Sequence, residues 1–344
     1  MTERIYLKFN YPGAAPGSKT LLTGIRGTGE GSIVDDTLYI TGFYVTPQGE
    51  TTSFIYKGDI SGKDGGCSKI STSNWHVLNY PSAPGRTVIN TSLYGPAILK
   101  HGNVRVVGNY VTQESGSSAL GCMYEGPLDG SGRWTTLIPT SDSPVLNTIA
   151  HSNYGDIIVG NYDTTLIQGK AFIYDIRTGV YYDITKPSEC PSKVGIKSIT
   201  AYGVWHDGGH HYTICGGFSR LSPSSGLDSG YLVSWNNKNH TFSNWRSYNY
   251  NNDNKTAAVT HFDGITTDGR GGYNLTGDAV LLNGEKEIAF FAHVGCDDDW
   301  LKEANLSHDN ASWEQISYPG SSGTSGNSVY KSAVIGVYQL SRVP

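Results

Sequence analysis

Apolar positions along this chain fall into short β-branched and aromatic runs, each cut by Gly, Asn, Ser or Asp. One frame recurs: Tyr39-Ile-Thr-Gly42-Phe-Tyr44, Val106-Val-Gly108-Asn-Tyr110, Ile158-Val-Gly160-Asn-Tyr162, Ile214-Cys-Gly216-Gly-Phe218 and Val334-Ile-Gly336-Val-Tyr338, with Asn274-Leu-Thr-Gly277-Asp278 a looser copy. A second run follows most of them: Phe54-Ile-Tyr56, Cys122-Met-Tyr124, Phe172-Ile-Tyr174, Tyr231-Leu-Val233 and Phe290-Phe291. A third run opens on an aromatic and ends in a Pro or Asn turn: Trp75 to Pro81, Trp134 to Pro139, Tyr181 to Pro187, Trp245 to Tyr250 and Trp313 to Pro319. Such runs between turn residues predict strands. No unit holds the roughly 10–12 residues of helical periodicity that a crossover helix needs, so a βαβ repeat is excluded.

The third-run aromatics stand at 75, 134, 181, 245 and 313, with four predicted strands in each interval. Four short strands per repeat describe one blade of a propeller. The N-terminal Tyr6-Leu-Lys-Phe-Asn-Tyr-Pro12-Gly13 reads as a third run with nothing before it. Asn327 to Tyr338 reads as the first strands of a unit with nothing after them. Joined, they make one blade split between the ends, which closes the ring and removes its open edges. On these repeats the chain resembles the six-bladed β-propellers. The resemblance implies a single all-β domain over 1–344, with blades near 19–85, 86–143, 144–192, 193–255 and 256–322, and a split blade of 323–344 plus 1–18. Five blades with an irregular closure is the alternative. A shared architecture implies no activity. The repeated glycines are expected to let adjacent blades pack closely, and the aromatics to fill the space between blades.

Composition agrees. Gly makes up 44 of 344 residues and charged residues only 16%, against about 7% and 25% ordinarily, which suits many turns rather than a helical bundle. With 23 Tyr and 7 Trp the chain is not disordered. A net charge of -5 points away from nucleic acid and from an anionic membrane surface. No apolar stretch approaches the ~18 residues of a membrane span. The start, Met1-Thr-Glu-Arg4, has no secretory leader, so the expectation is cytoplasmic, or secreted if a leader was removed. Cys67, Cys122, Cys190, Cys215 and Cys296 form no Cys-x-x-Cys pair and read as inert buried thiols.

The candidate chemistry lies where the repeats stop agreeing. The predicted innermost strands align as Thr23…Arg26-Gly27, Thr91…Tyr94-Gly95, Thr148…His151-Ser152, Ile199…Tyr202-Gly203, Thr260…Asp263-Gly264 and Ser328…Lys331-Ser332. One column then reads Arg26, Tyr94, His151, Tyr202, Asp263, Lys331. Packing positions in a repeat converge on one residue type, so a polar column of five types suggests one shared ligand on the axis. The competing reading is a closed network with Arg26 and Lys331 paired to Asp263. His261 shares the strand face of Asp263. Tyr154, Trp205 and His206 fall in the following hairpins, where they would line one mouth.

Other signals are weaker. Trp205 to His211 carries three His and one Asp, but adjacent His210 and His211 point to opposite faces of a strand. Asp297-Asp298-Asp299 and Asp35-Asp36 lack a calcium-loop spacing. Asp129 to Trp134 resembles the Asp-box of sialidase-like propellers, with departed spacing. No P-loop, nucleophile elbow or His-Glu-x-x-His motif occurs, so no cofactor and no metal is expected. The leading expectation is a metal-independent enzyme with one axial site, acting by proton transfer on a small acidic or sugar-like molecule as a lyase, isomerase or cyclase. His151 would be the base or acid with Tyr94 or Tyr202 as partner. Asp263 would orient His261 or a substrate hydroxyl, and Arg26 and Lys331 would hold a carboxylate or an oxyanion. The alternatives are a carbohydrate-binding propeller using Trp75, Trp134, Trp245 and Trp313, and a protein-interaction scaffold.

Overall fold

The computed structural model describes residues 4–29, 33, 36–60, 71–186, 195–221, 228–252, 255–282, 287–295 and 311–340. Apart from two single 3-10 turns, every regular element among them is a strand. The first sheet runs β1 (Lys19–Gly27), β2 (Leu38–Val45), β3 (Thr51–Gly58), β4 (Trp75–Val77), and the second β5 (Val88–Ile98), β6 (Val104–Thr112), β7 (Leu120–Gly126), β8 (Arg133–Leu137). The third is β9 (Val145–Tyr154), β10 (Ile157–Thr164), β11 (Lys170–Asp175), β12 (Val180–Asp183), and the fourth β13 (Ile196–Gly208), β14 (His211–Arg220), β15 (Ser229–Asn236), β16 (Thr241–Tyr248). The fifth adds a short β17 (Asn251–Asn252) to β18 (Lys255–Thr267), β19 (Tyr273–Leu281), β20 (Glu287–Val294) and β21 (Ala311–Ile316). A last pair, β22 (Ser321–Tyr330) and β23 (Ala333–Leu340), stands alone as a two-stranded sheet.

The first strands β1, β5, β9, β13, β18 and β22 pack side by side and close on themselves, β22 against β1. The chain is thus an all-β propeller of antiparallel blades. Five blades are complete, the count held as the alternative, and the two-stranded sheet fills a sixth place in the inner ring. The outer half expected of the split blade does not form a ladder, for residues 4–18 make no strand. Pro12 and Pro16 cannot donate to one, and the aromatic rings bury against the first blade instead. Phe9 and Tyr11 lie 4.9 and 5.4 Å from the Trp75 ring, and Tyr11 stacks on Tyr44 at 4.5 Å. Arg4 reaches back to Glu314 on β21 at 2.5 Å.

This segment still keeps the closing link of the repeat. The N–H groups of Tyr80, Tyr250 and Tyr318 donate to Thr91, Thr260 and Thr324 Oγ1, tying one blade's outer end to the next inner strand (3.1, 2.9 and 3.0 Å). The Tyr11 N–H donates to Thr20 Oγ1 in the same way at 3.1 Å. The third-run tryptophans pack mostly against rings of their own blade. Trp75 and Trp245 are buried, Trp245 lies flat on Tyr231 at 4.6 Å, Trp313 stacks on Phe262, and Trp134 leans on Tyr80 and Tyr124. Their indole faces are spent on the core, so they offer no repeated sugar-stacking surface.

Candidate axial site

Each inner strand slips register against the second strand of its blade at one equivalent place, opposite or beside the recurring glycine. Thr23 is left out between the pairs Leu22–Gly42 and Gly24–Thr41. Tyr94, with Gly95, falls between Leu93–Gly108 and Pro96–Val106. His151 falls between Ala150–Gly160 and Ser152–Val159. Tyr202, Asp263 and Asn327 are left out likewise, opposite Gly216, Gly277 and Gly336. These are β-bulges, which bend a strand and re-aim the extra side chain. The bulge also explains the recurring glycine. A methyl group there would collide with a carbonyl oxygen of the bulged strand: Leu21 at Gly42, Ser92 at Gly108, Ile149 at Gly160, Thr200 at Gly216, His261 at Gly277 and Ser325 at Gly336. The close approach is within a blade rather than between blades, which corrects the expectation.

Backbone groups turned out of the ladder must still be paired. Asn327 Nδ2 donates to the Leu22 carbonyl (2.6 Å), Thr23 Oγ1 to Leu93 (2.5 Å), Thr41 Oγ1 to Tyr94 (2.5 Å) and Asn153 Nδ2 to Gly95 (2.8 Å). Every one of these links crosses to another blade.

The bulges revise the polar column in two places. Thr20-Leu-Leu-Thr23-Gly24 and Thr324-Ser-Gly-Asn327-Ser328 fit the Thr-x-x-X-Gly/Ser frame as well as Thr91 to Gly95 does, and the register selects them. The column is therefore Thr23, Tyr94, His151, Tyr202, Asp263 and Asn327. All six line one cavity of about 270 Å³ enclosed by the inner strands, and Arg26 lines it too. Lys331 does not. It sits in the β22–β23 hairpin with φ 53°, and its Nζ is 3.1 Å from Asp36 Oδ2. The pairing of Arg26 and Lys331 with Asp263, which the competing closed-network reading required, does not occur: Lys331 pairs with Asp36 and Asp263 with His261.

Arg26 belongs one layer below the column, level with Tyr154, Trp205 and Tyr330, each three residues past its own bulge. Its guanidinium lies 4.7 Å from the Tyr154 ring and 5.3 Å from the Trp205 ring, which are 5.0 Å apart. Tyr154 and Trp205 thus flank the cation but, like His206, do not line the cavity where a mouth was expected of them. Arg26 is only 7% exposed, and its Nε and Nη1 have no hydrogen-bond partner. Burial lowers its pKa to about 10, so it stays charged at neutral pH. His206 is further out, stacked on Tyr212 at 4.7 Å.

His151 lies between Tyr94 and Tyr202, at ring distances of 5.0 and 4.6 Å. Its Nε2 is 2.6 Å from Asn161 Oδ1. An amide oxygen can only accept, so Nε2 carries the proton and Nδ1 the lone pair. Burial lowers the pKa to about 4 despite the Asn161 bond. The imidazole is therefore neutral at pH 7. Burial raises the Tyr94 phenol to about 12, and burial with the Asp263 charge raises Tyr202, so both phenols keep their protons.

On β18, His261 Nδ1 bonds Asp263 Oδ1 at 3.1 Å, leaving Oδ2 without a hydrogen bond although it is 3.0 Å from the same nitrogen. One N–H serves one acceptor here. Burial lowers the His261 pKa, but the Asp263 charge and hydrogen bond outweigh it and raise the value to about 9. Burial raises Asp263. His261 itself is not on the cavity wall; it supports Asp263 from beside it.

Two supporting residues, Asn161 and Asp278, escape a reading of the inner strands. Both follow the glycine of the Gly-x-Tyr frame, a column that reads Phe43, Asn109, Asn161, Gly217, Asp278, Val337 and is itself divergent. Asp278 accepts from the Gly326 N–H (2.9 Å) and Ser325 Oγ (2.7 Å). Burial and the Asp263 charge raise its pKa to about 7. His261, Asp263 and Asp278 place donor atoms within 4.8 Å of one another, yet both Asp278 oxygens already accept hydrogen bonds.

The His-rich hairpin serves structure. Asp207 accepts from Tyr273 Oη (2.7 Å) and Thr213 Oγ1 (2.8 Å), while His210 and His211 are exposed. Cys122 and Cys215 are buried free thiols whose pKa values burial raises. Asp35, Asp297 to Asp299, Cys67, Cys190 and Cys296 lie outside the described residues. No described helix is long and apolar enough to cross a membrane.

No protein-family model and no curated protein sequence matches the chain. Among solved structures it is similar to Bacillus subtilis levansucrase, with a TM-score of 0.41 and 8% identity over 97% of this chain and 91% of that one. It is also similar to a mutant B. megaterium levansucrase, with a TM-score of 0.36 and 10% identity over 92% and 86%.

Proposed function

We propose that this protein is an enzyme with one active site on the propeller axis, moving protons on a small acidic or sugar-like substrate in lyase, isomerase or cyclase chemistry. The observation that carries this reading is the ring of bulges. Six strands spend a local distortion to aim six largely different side chains into one cavity. A repeated binding module would aim the same side chain in every blade, and a packed core would converge on apolar ones. A cavity of about 270 Å³ sits just under the usual ~300–1,000 Å³ of small-molecule sites, which fits a molecule of one-ring size.

His151 takes the proton through Nδ1, since its neutral state leaves a lone pair there and Asn161 fixes the tautomer. Tyr94 and Tyr202 flank the imidazole and, as protonated phenols, return a proton to the substrate. Asp263, ionised by its bond with His261, accepts a substrate hydroxyl. Arg26 faces the charge that develops when a proton leaves the carbon beside a carboxylate. Hydrolysis by two carboxylates is less well supported, because Asp263 lines the cavity and Asp278 does not.

The test is solvent-proton exchange. Uronic and aldonic acids incubated in D2O with the protein are followed by NMR for loss of a carbon-bound proton. Replacing His151→Asn should lower that exchange about 10²–10⁴-fold while the thermal melt stays cooperative. Full exchange in the His151→Asn protein would sink the proposal.

A further inference from the structure

We infer that the axial cavity selects a small hydroxy-monocarboxylate, with its carboxylate on Arg26 and a hydroxyl on Asp263. The inference rests on the axial-site reading and narrows its substrate. Two groups on the cavity wall carry buried polar atoms without a hydrogen bond, and the two are of opposite kind. Arg26 presents donors, with Nε and Nη1 unpaired. Asp263 presents an acceptor, its Oδ2 making no hydrogen bond although it lies 3.0 Å from His261 Nδ1. A buried polar atom without a partner is costly, so the ligand that relieves both carries an acceptor at one end and a donor at the other. A carboxylate matches the planar fork of a guanidinium, and a hydroxyl matches a carboxylate oxygen.

The charges around the cavity limit the ligand to one negative group. Lys331 is committed to Asp36 and His261 to Asp263. That leaves Arg26 as the one cation on the cavity wall without a carboxylate partner among the described residues. Asp263 stands on the wall as an anion, so a diacid or a phosphate dianion meets repulsion on the same wall that a hydroxyl would satisfy. The aromatic contacts sharpen this. The Tyr154 and Trp205 rings pack against the guanidinium and leave it little freedom to turn toward a differently placed anion.

The probes are D-glucuronate, D-gluconate, D-glucose and D-glucose 6-phosphate, titrated calorimetrically into the wild-type protein and into Arg26→Gln, Arg26→Lys and Asp263→Asn. Each protein is first checked by circular dichroism and thermal melting. The expected result is one site per chain that prefers a carboxylate over glucose and over the phosphate. Arg26→Gln should weaken the carboxylate about tenfold or more, with Arg26→Lys in between because it keeps charge but loses the fork. Asp263→Asn should change the preference among hydroxylated acids. Carboxylate affinity unchanged in a folded Arg26→Gln protein overturns the inference. So does a phosphate that binds as well as the carboxylates, or no carboxylate binding at millimolar concentration. Carboxylate binding through Arg26 without any proton exchange would leave this inference standing and remove the enzymatic one. Exchange on a neutral sugar would do the reverse.

Discussion

His151 and His261 lie on either side of Tyr202, with ring distances of 4.6 and 5.7 Å, and the fold drives them to opposite protonation states. His151 is buried with only an amide partner, and its pKa falls from 6.5 to about 4. The unfolded chain therefore takes up a proton that the folded one refuses. Its contribution to stability is complete above pH 6.5 and is lost as the pH falls toward 4, by on the order of 3 kcal/mol. His261 is raised from 6.5 to about 9 by Asp263, so its contribution is complete below pH 6.5 and is lost as the pH rises through 9. Asp278, raised to about 7, works against His151 over the acid range, so the acid and alkaline limbs are read as differences between the wild type and each variant. A His151→Asn protein should lose much of the acid limb and keep the alkaline one, and His261→Asn should do the converse. An acid limb in His151→Asn as steep as in the wild type would mean that the imidazole is not buried neutral.

The element that decides the site is the bulged inner strand with its facing glycine. At Gly160 a methyl would meet the Ile149 carbonyl and the Ala150 backbone, neither of which can move without undoing the bulge that aims His151. Gly160→Ala should therefore cost about 1–3 kcal/mol, as overpacking does, and should impair proton exchange more than its effect on the melt explains. A stable Gly160→Ala protein with full exchange would separate the glycine from the site. This coupling shows what the sequence makes legible. The glycines and the β-branched runs repeat because every blade poses the same steric problem, so strands, blades and four members of the column (Tyr94, His151, Tyr202, Asp263) can be read directly. The first and last members cannot. Thr23-Gly-Ile-Arg26-Gly27 and Thr20-Leu-Leu-Thr23-Gly24 satisfy one frame equally, and only the strand register distinguishes them. The hairpins after the inner strands differ in length, so counting back from the glycine slides the frame. Arg26 still reaches the cavity because its long side chain rises from the layer below. No comparable reach brings Lys331 back from Asp36.

At the scale of the whole molecule the ring has one unequal seam. Four junctions join complete blades, while the other two flank the two-stranded sheet, and the one facing β1 is closed by a strap of residues 4–18 without a ladder and one buried carboxylate. Asp36 accepts from the Thr28 N–H (3.0 Å) and Oγ1 (2.5 Å), from Tyr330 Oη (2.8 Å) and from Lys331 Nζ (3.1 Å), joining the end of β1 to the β22–β23 hairpin. Burial opposes its charge, but these bonds win and hold its pKa at about 2. Its contribution is thus present above about pH 4 and is lost as the pH falls toward 2. The sheet at this seam has two strands where the others have four or five, so it should open before the rest of the ring. Hydrogen exchange should find β22 and β23 less protected than β9, β10, β13 and β14, since local openings follow where few backbone bonds and contacts hold a segment. Asp36→Asn keeps the shape but removes the charge, and should cost about 1.5–3 kcal/mol with faster exchange confined to β22, β23 and the end of β1. Deleting residues 1–11 should expose Trp75, shift its emission to the red, and loosen the same seam from the outer side. Uniform protection around the ring, unchanged by either variant, would show instead that the two-stranded sheet closes the propeller as firmly as a complete blade.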